Sequence, residues 1–471
     1  MAPQLRPRTS QVKPQTYATG AQSYDSPSRH SSVAPLAASI ENDGSAPPVY
    51  TIDLSLAPSC RYLQVITDYE SNLRQLPRLL DDIIDGIRVP NKIVHVIARL
   101  LLRKVHDREQ NEELKGISET LGLPIYFLVA YNVLLDLFMG CTSGGALANP
   151  NDTEEPRMMH FRTLDWGMPE LRGVVVQYDF VEAPGAEVIA RTISYVGYVG
   201  ILTGLRKELS VSINFRPYHN DDTSLAANMR FYLHQLSVLL GLKPSISSIL
   251  RDFILPRNNS HKSSRIENIR SSQDAAKPLY GHADICTTLP SIPTTAAYLI
   301  FCTPHETVIL EKDLKTAKIL KSSTFITTTN HDASYDTNED TDHTEVAHVM
   351  HAKQQSLGMG MEDIIDESIE RKRCLVEKWM TWSTEEDKKG KRGRKNNRNE
   401  ERDTGVPIGL LKEWLHAFPT TNQETHFSCL MDPARGEFRW VKLYEEGEIK
   451  RDSENSESGD EGSVAHGEEL E

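Results

Sequence analysis

The segment NVLLDLFMGCTSGG, residues 132–145, is where the chain changes from a helical pattern to a β pattern. It closes an apolar run of about 16 residues that begins at Pro124 and contains Asn132 and Asp136. A run this short, with polar residues inside it, predicts a buried core helix rather than a membrane span. After Gly140 the sequence turns into short β-rich runs separated by turn residues. This segment therefore predicts an α+β fold in which a helical part precedes a β-rich body.

The rest of the chain agrees with this division. Residues 49–56, VYTIDLSL, alternate as a half-buried strand does, and residues 61–121 predict successive amphipathic helices. Two more helices are predicted within the β-rich body, at 224–242 and 245–255. The turn DPARG, residues 432–436, predicts a closing β-hairpin because Pro and Gly stand where a tight turn needs them.

Composition divides the chain into one ordered unit and several polar extensions. Its 471 residues are 39% hydrophobic and 25% charged, an average slightly too polar for a fully compact protein. The formal net charge of −14 is concentrated near the C-terminus. We predict a disordered extension at 1–48, a helical pro-segment at 49–140, a catalytic β-rich body at 141–444 with polar insertions near 257–277, 332–344 and 383–404, and an acidic disordered tail at 445–471.

Composition also excludes several classes of function. The mildly acidic body gives no case for binding nucleic acid. Six cysteines are too few for a disulfide scaffold and none stands in CxxC spacing, so neither a metal nor a cofactor is expected. The N-terminus lacks the apolar stretch of about 7–15 residues that a secretory signal needs, which makes the cytoplasm the default expectation. Its acid-poor, Arg-containing start keeps an organellar transit peptide as an alternative.

Three short motifs carry the candidate chemistry: MGCTSGG around Cys141, FRTLDWG with Arg162 and Asp165, and TTTNHD with Asn330. Each alone is a weak signal, because a free cysteine is usually a small core residue and Arg-x-x-Asp is usually a surface ion pair. Together, and in this order, they resemble the acid ceramidase and N-acylethanolamine acid amidase family of N-terminal-nucleophile hydrolases. The resemblance also includes YTIDLSL, ELKGISETLGLPI, YVGYVGILTG and LMDPARGEF, and it covers roughly residues 49–444.

The resemblance implies a four-layer αββα sandwich preceded by the helical pro-segment. It also implies that the chain cuts itself between Gly140 and Cys141 and that the two fragments stay associated. Glycine tolerates the strained backbone that such a self-attack requires. The freed Cys141 then carries a thiol and an α-amino group, whose reference pKa of about 7.7–8.0 suits a base near neutral pH.

The resemblance assigns roles to the residues that match its motifs. Arg162 lowers the pKa of the Cys141 thiol, since a neighbouring guanidinium stabilises the thiolate. Asp165 accepts a hydrogen bond from the new amino group and orients it. Asn330 supplies a side-chain N–H that, with a backbone N–H, stabilises the oxyanion of the tetrahedral intermediate.

Two further parts of the site are less well defined by the motifs. A second arginine is expected after TTTNHD, and ESIERKRC offers Arg371 and Arg373. Arg371 is favoured because Arg371-Lys372 resembles the paired basic residues of the family, and a basic helix face is the alternative. Asn214 and Phe215 match the strand end that lines the family's substrate pocket. Relatives commonly carry an acidic residue at the position of Phe215, so a more apolar pocket wall is expected here.

The function that the resemblance implies is hydrolysis of a linear lipid amide. Ceramide (N-acylsphingosine) is the expected substrate, with a fatty acid and a long-chain base as products. An N-acylethanolamine amidase is the alternative within the family, and a non-catalytic interaction protein is the alternative outside it.

The sequence admits two alternatives each for the membrane contact and for the cellular compartment of such an enzyme. The basic run KKGKRGRKNNR at 388–398 predicts either a solvated loop or peripheral contact with anionic lipid headgroups at a membrane surface. The resemblance admits a lysosome-like or vacuolar compartment beside the cytoplasmic default. In such a compartment Cys60 and Cys374 are candidates to bridge the two fragments, as lysosomal relatives do; a reducing compartment disfavours this pairing.

Overall fold

The computed structural model describes residues 45–77, 91–134, 140–151, 153–217, 219, 224–256, 278–336, 362–393 and 404–449. The predicted insertion at 257–277 lies outside the described residues. So do 1–44, 337–344, 394–403 and 450–471 of the predicted extension, insertions and tail. The proposed boundaries of these segments therefore stay predictions.

The N-terminal part of the chain is helical after a first strand, as predicted. Its elements are β1 (Val49–Asp53), α1 (Leu63–Asp68), α2 (Glu70–Leu73), α3 (Asn91–Leu101), α4 (Arg108–Leu121) and α5 (Ile125–Leu134). α4 begins after Asp107, whose side chain accepts a hydrogen bond from the backbone N–H of Gln110. It ends at Gly122, where a φ of 66° requires the left-handed conformation that glycine adopts without strain.

The larger sheet has eight strands in the order β1-β4-β5-β6-β7-β8-β9-β10. Its further strands are β4 (Val175–Val181), β5 (Val188–Tyr195), β6 (Thr203–Arg206), β7 (Leu209–Phe215), β8 (Ala297–Cys302), β9 (Thr307–Asp313) and β10 (Thr316–Ser322). β1 pairs with β4 in parallel, with Val49 opposite Gln177, whereas the other neighbours are antiparallel. The strand that precedes the N-terminal helices is thus hydrogen-bonded into the sheet of the body.

The smaller sheet has the order β11-β2-β3-β13-β14, and a short sixth strand, β12, also pairs with β2. Its strands are β2 (Gly140–Asn149), β3 (Arg157–Asp165), β11 (Phe325–Thr328), β12 (Val406–Pro407), β13 (Thr425–Asp432) and β14 (Glu437–Leu443). β13 and β14 form the hairpin predicted from DPARG. β2 is central in this sheet, because β11 and β12 lie on one side of it and β3 lies on the other.

The two sheets pack face to face and carry helices on their outer sides. Between them, the buried imidazole of His160 in β3 lies 2.9 and 2.8 Å from the hydroxyl oxygens of Ser210 and Ser212 in β7. Outside the smaller sheet, α9 (Glu362–Gly393) and α10 (Ile408–His416) contribute Leu375 and Trp414 to a buried apolar cluster. Outside the larger sheet, α7 (Ile246–Ile254) packs on β6 and β7, beside the N-terminal helices. The predicted αββα sandwich is confirmed.

The insertion predicted at 383–404 begins as a helix instead. α9 continues to Gly393, so residues 383–393 extend the helix that packs on the smaller sheet. Trp379 and Trp382 hold the preceding turn against the core, with the Trp379 ring stacked on Phe325 at 4.8 Å between centroids. The Glu and Lys residues that follow propagate a helix once it is nucleated in this way. Two further α-helices within the described residues are α6 (Leu225–Leu239), near the predicted position, and α8 (His282–Thr287).

None of the helices in the described ranges combines the length and apolarity needed to cross a membrane. α5, the described part of the apolar run before Gly140, is a helix whose side chains from Phe127 to Val133 are buried. Its interpretation as a core helix agrees with this burial. Residues 135–139 of the same run lie outside the described residues.

Candidate active site

The register of the smaller sheet brings the predicted site residues together. Gly140 and Cys141 open β2, and Gly140 lies opposite Asp165 at the end of β3. Arg162 lies in the same strand as Asp165, opposite Ser143 of β2. β11 pairs with the other edge of β2 and ends two residues before Asn330. Residues that are far apart in the chain therefore lie close together at the start of β2.

Cys141 is enclosed by groups from β3, from β7 and from the segment that follows β11. It is 0% exposed. Its sulfur accepts a hydrogen bond from Nη2 of Arg162 at 3.4 Å and lies 3.9 Å from the carbonyl oxygen of Ile213 in β7. Its backbone N–H donates to Oδ1 of Asn330 at 2.9 Å. The thiol and the nitrogen that self-cleavage would free are thus each held by one predicted site residue.

Burial dominates the ionisation of this thiol in the intact chain. It raises the pKa of Cys141 to about 11, against the lowering effect of the guanidiniums of Arg162 and Arg371 and of the Phe215 backbone N–H. The carboxylate of Asp165 raises it further. The expected lowering by Arg162 is present but is outweighed by burial, so the intact chain keeps the thiol protonated at neutral pH.

Asp165 is buried beside the predicted scissile bond. Its Oδ1 accepts a hydrogen bond from Oγ1 of Thr425 at 2.6 Å, and its Oδ2 lies 3.8 Å from Nη1 of Arg371. Burial raises the pKa of this carboxyl to about 6, although Arg371 and Thr425 lower it. A Cβ at Gly140 would lie 3.3 Å from the Cβ of Asp165, so only glycine fits opposite it without displacement. The predicted contact of Asp165 with the amino group of Cys141 stays a prediction.

Asn330 connects the nucleophile to the second arginine. Its Oδ1 accepts from Nη2 of Arg371 at 3.0 Å as well as from the Cys141 N–H. Its Nδ2 donates to the carbonyl oxygen of Phe215 at 2.8 Å. The N–H predicted to stabilise an oxyanion is therefore engaged with a backbone carbonyl in the intact chain. Its catalytic role stays a prediction.

The two candidate arginines lie on different sides of α9. The side chain of Arg371 is 2% exposed and contacts Asn330 and Asp165. The side chain of Arg373 is 56% exposed, and it forms an ion pair with Glu377, one turn along the same helix. The geometry therefore favours Arg371 over Arg373 as the second arginine of the site.

The predicted pocket residues Asn214 and Phe215 end β7. Asn214 is buried: its Oδ1 accepts from the hydroxyl of Ser143 at 2.7 Å, and its Nδ2 donates to the carbonyl oxygens of Thr328 and Thr329 at 3.1 and 3.2 Å. This amide ties the two sheets together behind Cys141. The half-buried Phe215 presents its carbonyl to Asn330. Contact of either residue with substrate stays a prediction.

Sequence reasoning missed a group of residues that contacts Asn330 and the neighbouring His331. Ser368 of α9 accepts a hydrogen bond from the Asn330 backbone N–H at 2.7 Å and lies 2.8 Å from Nδ1 of His331. Nε2 of His331 lies 3.1 Å from the Asp336 carboxylate. The spacing of Ser368 and Arg371, three residues apart on one helix face, is the signal that could have indicated Ser368.

No sign of metal or disulfide chemistry accompanies these residues. Within the described part of the chain, no group of three or more His, Cys, Asp or Glu side chains is placed to bind a metal ion. Cys60 is exposed and Cys374 is half-buried, and both are free thiols, so the pairing that the resemblance implied is not formed.

Asp165 gives the stability of the intact chain a pH dependence. Its carboxyl has a pKa of about 6 in the folded chain, above the ordinary 3.8, so the folded state binds this proton more tightly than the unfolded state does. The contribution to the free energy of unfolding is fully present below about pH 4 and is lost as the pH rises through about 6. We expect Asp165→Asn to remove this dependence, so the wild-type chain loses stability relative to the variant between pH 4 and 7.

Urea unfolding of both chains at several pH values, each in a Cys141→Ala background that keeps the chain in one piece, measures this difference. Glu112→Gln is the control, because Glu112 is a half-exposed carboxylate on α4 whose ion pair, among the described residues, is with Lys115 in the same helix. The free energy of unfolding of the Glu112→Gln variant should change with pH in the same way as that of the parent chain. A parallel curve for Asp165→Asn would contradict the prediction.

Parts of the chain are similar to known proteins. A family model for the beta subunit of N-acylethanolamine-hydrolyzing acid amidase matches residues 45–106. Acid ceramidase of Mus musculus is 26% identical over 186 residues, which are 36% of this chain and 45% of that protein. Acid ceramidase of Pan troglodytes is 26% identical over 251 residues, 50% of this chain and 59% of that protein.

A third curated relative, the N-acylethanolamine-hydrolyzing acid amidase of Caenorhabditis elegans, is 33% identical over 178 residues, 36% of this chain and 47% of that protein. The chain thus matches about half the length of these relatives. A solved structure of the Caenorhabditis elegans N-acylethanolamine-hydrolyzing acid amidase ortholog aligns with 64% of this chain and 100% of its own, at 19% identity and a TM-score of 0.38.

Proposed function

Because the chain belongs to the acid ceramidase and N-acylethanolamine acid amidase family, we propose that it is a self-processing lipid amidase that hydrolyses ceramide. One observation carries the proposal. The sulfur of Cys141 contacts Arg162, its backbone nitrogen is bound by Asn330, and both lie at a glycine–cysteine junction that opens a strand. In the proposed reaction, this buried cluster would supply the nucleophile, its charge partner and its future amino group.

Self-cleavage would begin at this junction. A base takes the thiol proton of Cys141, and the thiolate attacks the carbonyl carbon of Gly140. The Cys141 nitrogen receives that proton as its bond to this carbon breaks, and the acyl group moves to sulfur. Water then hydrolyses this thioester and leaves a free amine on Cys141. Asp165 is the candidate base for the thiol proton, because it lies opposite Gly140 and its pKa of about 6 suits proton transfer near neutral pH.

Hydrolysis of the lipid amide would use the same atoms after the cut. The free amine of Cys141 takes the thiol proton, sulfur attacks the acyl carbonyl, and the long-chain base leaves with a proton. Water releases the fatty acid from the resulting thioester. Asn330 and Arg371, already hydrogen-bonded to each other beside the nucleophile, are the candidate groups for stabilising the charge on the oxygen.

The two fragments would stay together after the cut. β1 remains paired with β4 through five residue pairs, so the N-terminal fragment keeps a strand in the sheet of the larger one. Arg61 and Arg251, one from each fragment, share the buried carboxylate of Glu113, with Arg61 at 2.9 Å and Arg251 at 2.7 Å. Removing one partner of such a buried ion pair leaves an uncompensated charge, which opposes separation of the fragments.

A lipid surface is the proposed source of the substrate. α3 and α6 both pack against α5, the helix that leads to Cys141, and both expose large apolar side chains. Such faces suit shallow burial at a membrane surface. The exposed apolar residues are Val96, Ile97 and Leu100 on α3, and Leu225, Met229, Tyr232 and Leu233 on α6.

The N-acylethanolamine amidase remains the second candidate, since the matched family model and the Caenorhabditis elegans relative carry that name. Fatty-acid release from N-palmitoylsphingosine and from N-palmitoylethanolamine in mixed micelles separates the two. We expect faster release from the sphingosine amide, because Phe215 puts an apolar ring where an acidic residue is expected in relatives. Faster release from the ethanolamine amide would replace ceramide by that substrate. No release from either, by protein that has cut itself, would reject the lipid amidase.

A further inference from the structure

The segment between β5 and β6, residues 196–202, has no role in the chemistry described above. It is part of the YVGYVGILTG motif, and we refer to it as the 196–202 loop. Gly197 within it has a φ of 88°, and a Cβ there would approach the ring of Tyr131 in α5 at 3.7 Å. The loop is therefore shaped to lie against the helix that precedes the nucleophile.

Asn132 of α5 binds the backbone of the 196–202 loop with both ends of its amide. Its Nδ2 donates to the carbonyl oxygen of Gly197 at 2.9 Å, and its Oδ1 accepts from the N–H of Val199 at 2.8 Å. The same Nδ2 also donates to Leu128, one turn back in α5. Asn132 is buried, so these bonds form away from competing water.

A second connection from the N-terminal segment reaches the same residue of the loop. Nη1 of Arg251 donates to the carbonyl oxygen of Val199 at 2.6 Å. The two terminal guanidinium nitrogens of Arg251, Nη1 and Nη2, each donate to the carboxylate of Glu113 in α4 at 2.7 Å. The N–H and the C=O of Val199 are thus both held by groups that belong to, or are paired with, the N-terminal segment.

The far end of the 196–202 loop holds the guanidinium beside the nucleophile. The carbonyl oxygen of Leu202 accepts from Nη1 of Arg162 at 2.8 Å, and Nη2 of the same guanidinium donates to the Cys141 sulfur. The Leu202 carbonyl also accepts from the N–H of Ile213, whose own carbonyl lies 3.9 Å from that sulfur. A shift of Leu202 would therefore move Arg162 relative to the thiol.

We propose that Asn132 is a positioning residue for the nucleophile, acting through the 196–202 loop to hold Arg162 against the sulfur of Cys141. The inference rests on the proposed function, in which this thiol is the nucleophile. It also gives the N-terminal segment a task after self-cleavage. The segment stays as part of the catalytic unit because it fixes one end of the loop that orients Arg162.

The test compares Asn132→Leu and Asn132→Asp with the matched control Gln110→Leu. Gln110 lies on α4, is as buried as Asn132, and accepts a hydrogen bond from Ser248 of α7 at 2.8 Å without contacting the 196–202 loop. Each protein is alkylated with iodoacetamide between pH 5 and 10, and modification of Cys141 is followed by mass spectrometry of its peptide. Thermal melting of each variant measures any general loss of stability.

We expect Asn132→Leu to shift the alkylation profile of Cys141 to higher pH and to lower its rate at pH 7 by about tenfold or more, since misplacing a reacting group by on the order of 1 Å can cost up to about 100-fold. Asn132→Asp keeps the acceptor for the Val199 N–H and loses the donor to the Gly197 carbonyl. Its alkylation profile should therefore lie between those of the wild-type protein and Asn132→Leu. Gln110→Leu should melt at a lower temperature and keep the wild-type profile.

A wild-type profile for Asn132→Leu, or an equal shift for Gln110→Leu, would overturn the inference. If Asn132→Leu shows no folded transition, the comparison of Asn132→Asp with Gln110→Leu decides in the same way. Alkylation reads the thiol directly in cut and uncut chains. A wild-type protein that hydrolyses no lipid amide would therefore reject the proposed function, while the alkylation profiles would still decide whether Asn132 positions Arg162.

Discussion

Cys141→Ala is expected to leave the chain uncut and without amidase activity. The wild-type protein should separate on a denaturing gel into fragments of about 16 and about 37 kDa, in proportion to residues 1–140 and 141–471 of the 53.0-kDa chain. The larger fragment should begin CTSGG. In the variant no sulfur remains to attack the Gly140 carbonyl, so the gel should show one band. Fatty-acid release should fall on the order of 10⁶-fold, the size seen when a hydrolase loses its covalent nucleophile.

Cys302→Ala is the matched control for this experiment. Cys302 is a free thiol, buried as completely as Cys141, but it lies in β8 of the larger sheet. Removing it creates a similar loss of core volume without touching the predicted nucleophile, so cutting and fatty-acid release should continue. A Cys141→Ala chain that is still cut before residue 141, or a wild-type chain that stays intact through prolonged incubation, would contradict self-processing by this thiol.

Local sequence patterns were sufficient to predict the parts of the fold that depend on neighbouring residues. The change of period at Gly140 coincides with the start of β2, and DPARG forms the turn between β13 and β14. The pairing of β1 with β4 could not be predicted in this way, since its partners are separated by more than a hundred residues of chain. Only the family resemblance suggested that the N-terminal segment and the body share one fold.

The C-terminal end of α9 could not be predicted from the polarity of its residues. Residues 383–404 read as a polar insertion because Glu, Lys and Arg dominate them, yet these residues also favour helix once a helix is nucleated. The packing of Trp379 on Phe325 comes from a strand more than fifty residues earlier. A contact of this kind cannot be read from the polar stretch itself.

The resemblance grouped the predicted site residues that the fold brings close together, whereas their ionisation and hydrogen bonds could not be predicted from the sequence. The resemblance of Arg371-Lys372 to the family's paired basic residues favoured Arg371 over Arg373. The helical pattern alone could not decide between them, because tertiary packing determines which of two positions on a helix faces the site. The pKa of Cys141 was expected to fall through Arg162. Burial between the two sheets raises it instead, and burial of a single side chain depends on the assembled fold.

Arg162→Gln is expected to slow self-cleavage by about 100-fold at pH 7, the size of effect that one buried charge-stabilising donor supplies in other active sites. The guanidinium of Arg162 is the group whose hydrogen bond reaches the sulfur of Cys141, and it opposes the effect of burial on the thiol pKa. Without it the thiolate fraction falls tenfold for each unit by which the pKa rises. Rate profiles of fragment formation between pH 5 and 10 should therefore move to higher pH in the variant.

Arg371→Gln is the comparison variant. It distinguishes the effect of a hydrogen bond to the Cys141 sulfur from the effect of a nearby positive charge. Arg371 is also a buried guanidinium that lowers the pKa of Cys141, but it contacts Asn330, Asp165 and Glu367 rather than the sulfur. Removing Arg371 should raise the pKa of Asp165 and slow self-cleavage. The pH–rate profile of fragment formation should move to higher pH by less than it does in Arg162→Gln. Equal displacements in the two variants would mean that the summed positive charge, and not the hydrogen bond from Arg162, controls ionisation of the nucleophile.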